Sequence, residues 1–202
     1  MDPINLIITL AILLFSAIVH EVSHGVVAEK LGDDTARDAG RITLNPIPHI
    51  DPFGSILLPI LTLIASGGNF AFGSAKPVPV NFNRLRNPRS GMALVSLAGP
   101  LSNFALAIIC AIPVRLGFLE LNNFVGSFIL INLLLGVFNL IPIPPLDGSK
   151  VLASFGSYSF INRLMSLEQY GFIIIIAFLY LGLFNRILIP AVDFLGRLIL
   201  GG

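Results

Sequence analysis

Several long stretches of this chain carry no charged residue at all, among them Ile4 to Val19, Met92 to Val114, Phe124 to Leu146 and Tyr170 to Phe184. Crossing the roughly 30 Å hydrocarbon core of a bilayer takes about 20 apolar residues at about 1.5 Å each. The first three stretches qualify as spans, and the last does if it continues toward Pro190. Only 11% of the 202 residues are charged, against about 25% in an ordinary soluble domain, so the bilayer is the solvent this sequence is built for. One all-α integral-membrane domain covering residues 1–202 fits the length. The net charge is +1 with scattered basic residues, which excludes a nucleic-acid surface, where Lys and Arg gather on one stripe. Cys110, the single cysteine, lies inside an apolar run and reads as small hydrophobic packing. The first apolar stretch has no basic residue before it and runs straight into His20, so it is expected to be a retained span rather than a cleaved signal.

The helical pattern of the first span extends from Ile4 to about Leu31 and stops at Gly32-Asp33-Asp34. Residues 33 to 52 are charged and broken by proline, as a loop at the membrane surface would be. Segment 53 to 73 is apolar, but Pro59 and Gly67-Gly68 interrupt it, leaving too short a run for a full span. Ala75 to Asn81 holds Pro77 and Pro79 between valines and is expected to be extended, as an edge strand or a polyproline-like piece. Helices are expected at about 91 to 115 and 124 to 141. Pro142, Pro144 and Pro145 then force extended backbone before Asp147-Gly148, residues 149 to 169 are mixed and polar, and a last apolar segment begins near 170.

The chemistry sits in His20-Glu21-Val22-Ser23-His24. On a helix, residues i and i+4 share a face, so both imidazoles can reach one ion, and H-E-x-x-H is the pattern of zinc hydrolases. Glu21 is offset by one residue, beside the metal rather than on it, where it can take a proton from bound water. Three ionisable groups in an apolar helix cost roughly 2.5 kcal/mol or more each when charged, which marks them as functional. A catalytic Zn2+ takes three protein ligands, and Asp147 is the best third: it follows a proline-broken backbone of the kind tolerated at membrane depth only where it lines a cavity. The competing reading is a transporter or metal-binding membrane protein. A carboxylate that is not a ligand has no use in a metal carrier, and the sequence shows none of the inverted repeats of many transporters.

These residues resemble the site-2 proteases, the intramembrane zinc metalloproteases of peptidase family M50. The resemblance rests on His20 to His24, on Asn139 to Gly148 as the Asn-x-x-Pro-x-x-x-x-Asp-Gly element, and on Gly99-Pro100-Leu101-Ser102-Asn103 as the small-residue central motif. The stretch from Asn45 to Asn81 looks like the compact prokaryotic branch without a PDZ domain. Ser149 stands where many members have a second glycine, and Gly67 to Phe70 resembles an insertion. The resemblance implies that His20, His24 and Asp147 bind zinc, that Glu21 is catalytic, and that the substrate is a transmembrane segment of another protein. It favours a place for Asn103 near the zinc, where the amide would orient substrate or steady an oxyanion. The alternative for Asn103 is a helix-to-helix hydrogen bond. His49, in a proline-rich loop, is expected to bond within that loop rather than bind metal. The sequence does not specify the oligomeric state.

His20, His24 and Asp147 must meet at one depth, and both motifs lie toward the C-terminal ends of their helices. Those helices should therefore run parallel, with an odd number of crossings between them. Residues 91 to 115 supply one crossing, which leaves segment 53 to 73 re-entrant or lying along the surface. Four full spans put nine of the twelve Lys and Arg on one side, whereas a fifth span would divide them six and six. By the positive-inside rule, the loops at 32 to 52, 74 to 90 and 148 to 169 are cytoplasmic. The chain is thus expected to be a multi-pass protein of the cell membrane, its active site opening toward the cytoplasm.

Overall fold

A computed structural model describes residues 3–57, 60 and 75–202. Every regular element among them is helical, as a chain in hydrocarbon requires when each backbone polar group must find its partner within its own segment. The main helices are α1 (Pro3–Lys30), α2 (Thr35–Asp38), α3 (Pro88–Arg115), α4 (Asn123–Asn139), α5 (Asp147–Ser154), α6 (Tyr158–Ser166), α7 (Gly171–Tyr180) and α8 (Ile189–Leu200). Two of these, α1 and α3, are long and apolar enough to cross a membrane, and α4 is a shorter apolar helix of 17 residues.

Helices α1, α3 and α4 pack against one another. The Asn103 amide of α3 donates to the Ser16 carbonyl of α1, and the His24 ring of α1 meets the Val95 carbonyl of α3, so these two helices are antiparallel. Ser16 also meets Asn132 of α4, while His20, further along α1, meets Asp147, which follows α4. Helices α1 and α4 therefore run in the same direction. The close approach comes from small residues: Ala107 and Ala111 of α3 are fully buried against Val125, Ile129 and Leu133 of α4. A Cβ at Gly136 would press into the Phe104 ring at 2.6 Å. Van der Waals packing of this kind holds helices together where no hydrophobic drive exists. The outward faces carry large apolar side chains such as Ile7, Ile109 and Ile173, each about two-thirds exposed, as befits contact with lipid.

The last apolar segment is not one helix. It breaks after α7, where Gly182 adopts a φ of +69°, a conformation glycine enters without steric cost. A wide turn at Phe184–Leu188 follows, and α8 then packs on α3 and α4, with Leu188 and Val192 in the same core as Ala107. The polar stretch after Asp147 also proves helical, as α5 and α6. Segment 53 to 73 falls largely outside the described residues; its beginning, Pro52–Leu57, is a wide helical turn.

Residues 75–81 form neither helix nor strand, so the expected edge strand is not seen, and Asn81 at the end of the segment has extended dihedrals, φ −107° and ψ 94°. Single hydrogen bonds tie them down. The Lys76 N–H donates to the His49 carbonyl at 2.8 Å and the Lys76 carbonyl accepts from Arg41 at 2.7 Å. The Asn81 N–H donates to the Asp33 carboxylate at 2.6 Å. Gly25 of α1 lets this segment lie close, since a Cβ there would stand 3.1 Å from both Val78 and Ala36.

Candidate metal centre

Helical spacing brings His20 and His24 to one face of α1, and both rings turn their Nε2 atoms toward Asp147. The distances to its Oδ2 are 3.1 and 3.2 Å. All three residues are buried, and one ligand atom from each lies within 4.8 Å of the others. Asp147 reaches this point because the chain doubles back after α4 through Pro142, Pro144 and Pro145, and α5 begins at the aspartate itself. Gly148 permits the fold-back: a Cβ there would strike the carbonyls of Leu140 and Ile141. Ser149 donates its hydroxyl to the Leu146 carbonyl at 2.7 Å, closing the turn.

The other nitrogen of each imidazole is held from behind. Nδ1 of His24 lies 2.6 Å from the Val95 carbonyl, and Nδ1 of His20 lies 2.6 Å from Oδ1 of Asn103. A nitrogen that donates to an oxygen keeps its proton there and leaves the Nε2 lone pair free, the arrangement found around metal-ligating histidines. Gly99 of α3 backs the cluster, and a Cβ at that position would collide with Nε2 of both rings.

A zinc ion suits this donor set. Two imidazoles and a carboxylate are among its usual ligands, at about 2.0 to 2.2 Å. Donors around a tetrahedral ion at that radius stand roughly 3.4 Å apart, close to the 3.1 and 3.2 Å seen between the imidazoles and Asp147. The cradle is shaped to the metal rather than filled by side chain, as Gly99 shows. The second Asp147 oxygen faces Lys150 at 4.0 Å, and Lys150 lies 3.7 Å from Glu168.

Glu21 sits one residue from the His pair, and its Oε2 accepts a hydrogen bond of 2.7 Å from the Val78 N–H. This contact was not anticipated from the sequence, nor were the backing roles of Val95 and Gly99. Asn103 comes to the cluster but does not face it. It is fully buried; its amide oxygen is on His20 and its NH2 donates to the Ser16 carbonyl and to Asn132. His49 is buried in its loop, with Nε2 2.8 Å from the Thr43 carbonyl. Ser16 could have been found by spacing, since it stands four residues before His20 on the same helical face.

The sequence profile of Peptidase family M50 matches residues 113–184, a range that holds Asp147 but not the His pair. YwhC of Bacillus subtilis is 38% identical over 203 residues, covering 95% of this chain and 89% of its own. Rip2 of Mycolicibacterium smegmatis is 32% identical over 187 residues, covering 89% of this chain and 69% of its own. A Methanocaldococcus jannaschii protein is 29% identical over 146 residues, 71% of this chain and 33% of its own. The names of all three contain the words zinc metalloprotease. No solved structure matches this chain.

Proposed function

Because this chain belongs to peptidase family M50, the site-2 proteases, and is a membrane zinc metalloprotease, we propose that it hydrolyses peptide bonds in or near the transmembrane segments of other membrane proteins. The observation that carries this reading is the meeting of His20 and His24, in the C-terminal half of the apolar helix α1, with Asp147, which follows the apolar helix α4; Glu21 adjoins His20 in sequence. His20, His24 and Asp147 hold the metal. Zinc in such a site polarises the scissile carbonyl and lowers the pKa of bound water toward about 7.

Glu21 is the base. It takes the proton of the attacking water and returns it to the leaving amine. The Val78 N–H holds one of its carboxylate oxygens, leaving the other to face the water. Asn103 acts through His20 as a positioning residue, because every hydrogen-bonding atom of its amide is committed elsewhere. A transmembrane helix hides its carbonyls in internal hydrogen bonds, so the substrate unwinds locally before attack. Residues 76 to 80 stand ready beside Glu21 to hold the unwound piece by backbone pairing. Pro77 and Pro79 have no N–H, so the register they occupy offers carbonyl acceptors only.

The chain as a single domain crosses the membrane four times, with both termini outside and the site open to the cytoplasm. The parallel course of α1 and α4 around an antiparallel α3 supports the first three crossings, and the division of Lys and Arg supports the fourth. Co-expression with single-span membrane proteins tests the activity. A substrate is cut by the wild type and accumulates uncut with Glu21→Gln; equal cutting by both would refute the assignment.

A further inference from the structure

Behind His20 lies a closed polar network in the interior of the helix bundle, contributed by three helices and made of Ser16, Asn103 and Asn132, all fully buried. Its bonds have a fixed direction. Asn132 Nδ2 donates to the Phe128 carbonyl at 2.9 Å and to the Ser16 hydroxyl at 3.0 Å. Asn103 Nδ2 donates to the Ser16 carbonyl at 3.2 Å and to Asn132 Oδ1 at 3.1 Å. Asn103 Oδ1 is thereby left to accept from His20 Nδ1 at 2.6 Å.

An amide side chain can turn over, exchanging its oxygen for its NH2. If Asn103 did so, it would present donors to His20 Nδ1, move the imidazole proton to Nε2, and remove the lone pair that a metal needs. Two backbone carbonyls forbid this, because a carbonyl oxygen can only accept. The Phe128 carbonyl requires the NH2 of Asn132 on its side, which points Oδ1 of Asn132 at Asn103. That oxygen and the Ser16 carbonyl together require the NH2 of Asn103, which points its oxygen at His20. Unpaired polar groups at this depth are costly, so the network holds in one sense only.

We propose that Asn132 and Ser16 are positioning residues that set the tautomer of His20 through Asn103, presenting the Nε2 lone pair to the metal before any metal arrives. Its consequence for affinity rests on the metal reading above; the tautomer itself does not. Asn132 is the last side chain in the line that can be changed without touching the His20 contact, so it carries the test.

Zinc affinity is measured by chelator competition on purified protein, and the tautomer by 15N chemical shifts of ring-labelled histidine in zinc-free protein. Wild-type His20 keeps a proton on Nδ1, while its Nε2 faces the Asp147 carboxylate at 3.1 Å. In Asn132→Leu that signature gives way to a mixture of tautomers, and zinc affinity falls about tenfold or more, as it does on losing outer-shell partners elsewhere. Should Asn132→Leu not fold, Ser16→Ala deletes only the hydroxyl and is expected to lose about fivefold. Thr9→Ala, whose hydroxyl bonds the Asn5 carbonyl of α1 outside the network, keeps wild-type affinity. Unchanged tautomer and affinity in Asn132→Leu would overturn the proposal, as would an equal loss in Thr9→Ala. If the tautomer shifts as expected while the wild type takes up no zinc, the network assignment stands and the metal reading falls.

Discussion

At position 99 a single methyl group separates a metal site from an obstructed one, because the Cβ of alanine would collide with Nε2 of both His20 and His24. Alanine is ordinarily better than glycine inside a helix by about 1 kcal/mol, so Gly99→Ala should leave the protein folded. It should still bind zinc at least about tenfold more weakly, on the scale seen when a metal site's surroundings are disturbed. Chelator competition together with a melting curve separates the two effects, and full zinc affinity in Gly99→Ala would show that α3 does not back the site. The residues that were legible in the sequence are those whose meaning is local: His20, Glu21 and His24 share one helical turn and a half, and Asp147 follows a proline break visible without any fold. Gly99, Val95 and Asn132 act across helices; Gly99 was marked only through the small-residue motif, and nothing near Val95 announces its contact with His24. Asn132 carried a signal all the same. An amide in the middle of an apolar run demands a partner, and the argument applied to Asn103 applied equally to it.

Among the elements, residues 75–81 link Asp33 to Glu21. The absence of helix in this segment was legible from Pro77 and Pro79. That its Val78 N–H would meet Glu21, 57 residues away in sequence, was not, because proline spacing fixes conformation and says nothing about placement. Val78→Pro removes that donor in a conformation the segment already tolerates, and it should cut cleavage about tenfold or more while leaving zinc content unchanged. Loss of zinc in Val78→Pro would place the segment in the metal site instead. The far end of the segment is moored on Asp33, which lies outside the spans. Burial raises the pKa of this carboxyl, but hydrogen bonds from the Thr35 hydroxyl and the Asn81 and Thr35 N–H groups, with the charge of Arg84, outweigh it and hold it below its ordinary value. A depressed folded-state pKa contributes stability above the unfolded value of about 3.9, and that stability is lost as pH falls through the folded one. Asp33→Asn should therefore melt below the wild type at neutral pH, with the gap closing below about pH 4. A gap of constant size down to pH 2 would mean that the charge of Asp33 is not what moors the segment. The break at Gly182 was not legible either: glycine recurs at 19 positions, and hydropathy cannot show which of them turns the chain.

For the whole molecule, the parallel course of the helices bearing the two motifs was legible from a geometric demand, that His20, His24 and Asp147 meet at one depth, and α1 and α4 do run together with α3 reversed between them. The count of crossings follows from charge rather than contact, and it is checked in intact cells. Single cysteines at Asp34, Asn87 and Ser157 in a Cys110→Ser background should all resist an impermeant thiol reagent; labelling at Asn87 but not at Asp34 would show that segment 53 to 73 crosses the membrane. If three residues hold zinc and a fourth, unligated, does the chemistry, metal analysis of purified variants will tell them apart. Wild type and Glu21→Gln should each hold about one zinc per chain, whereas His24→Ala and Asp147→Ala should hold almost none. Zinc lost in Glu21→Gln but retained in Asp147→Ala would contradict the account.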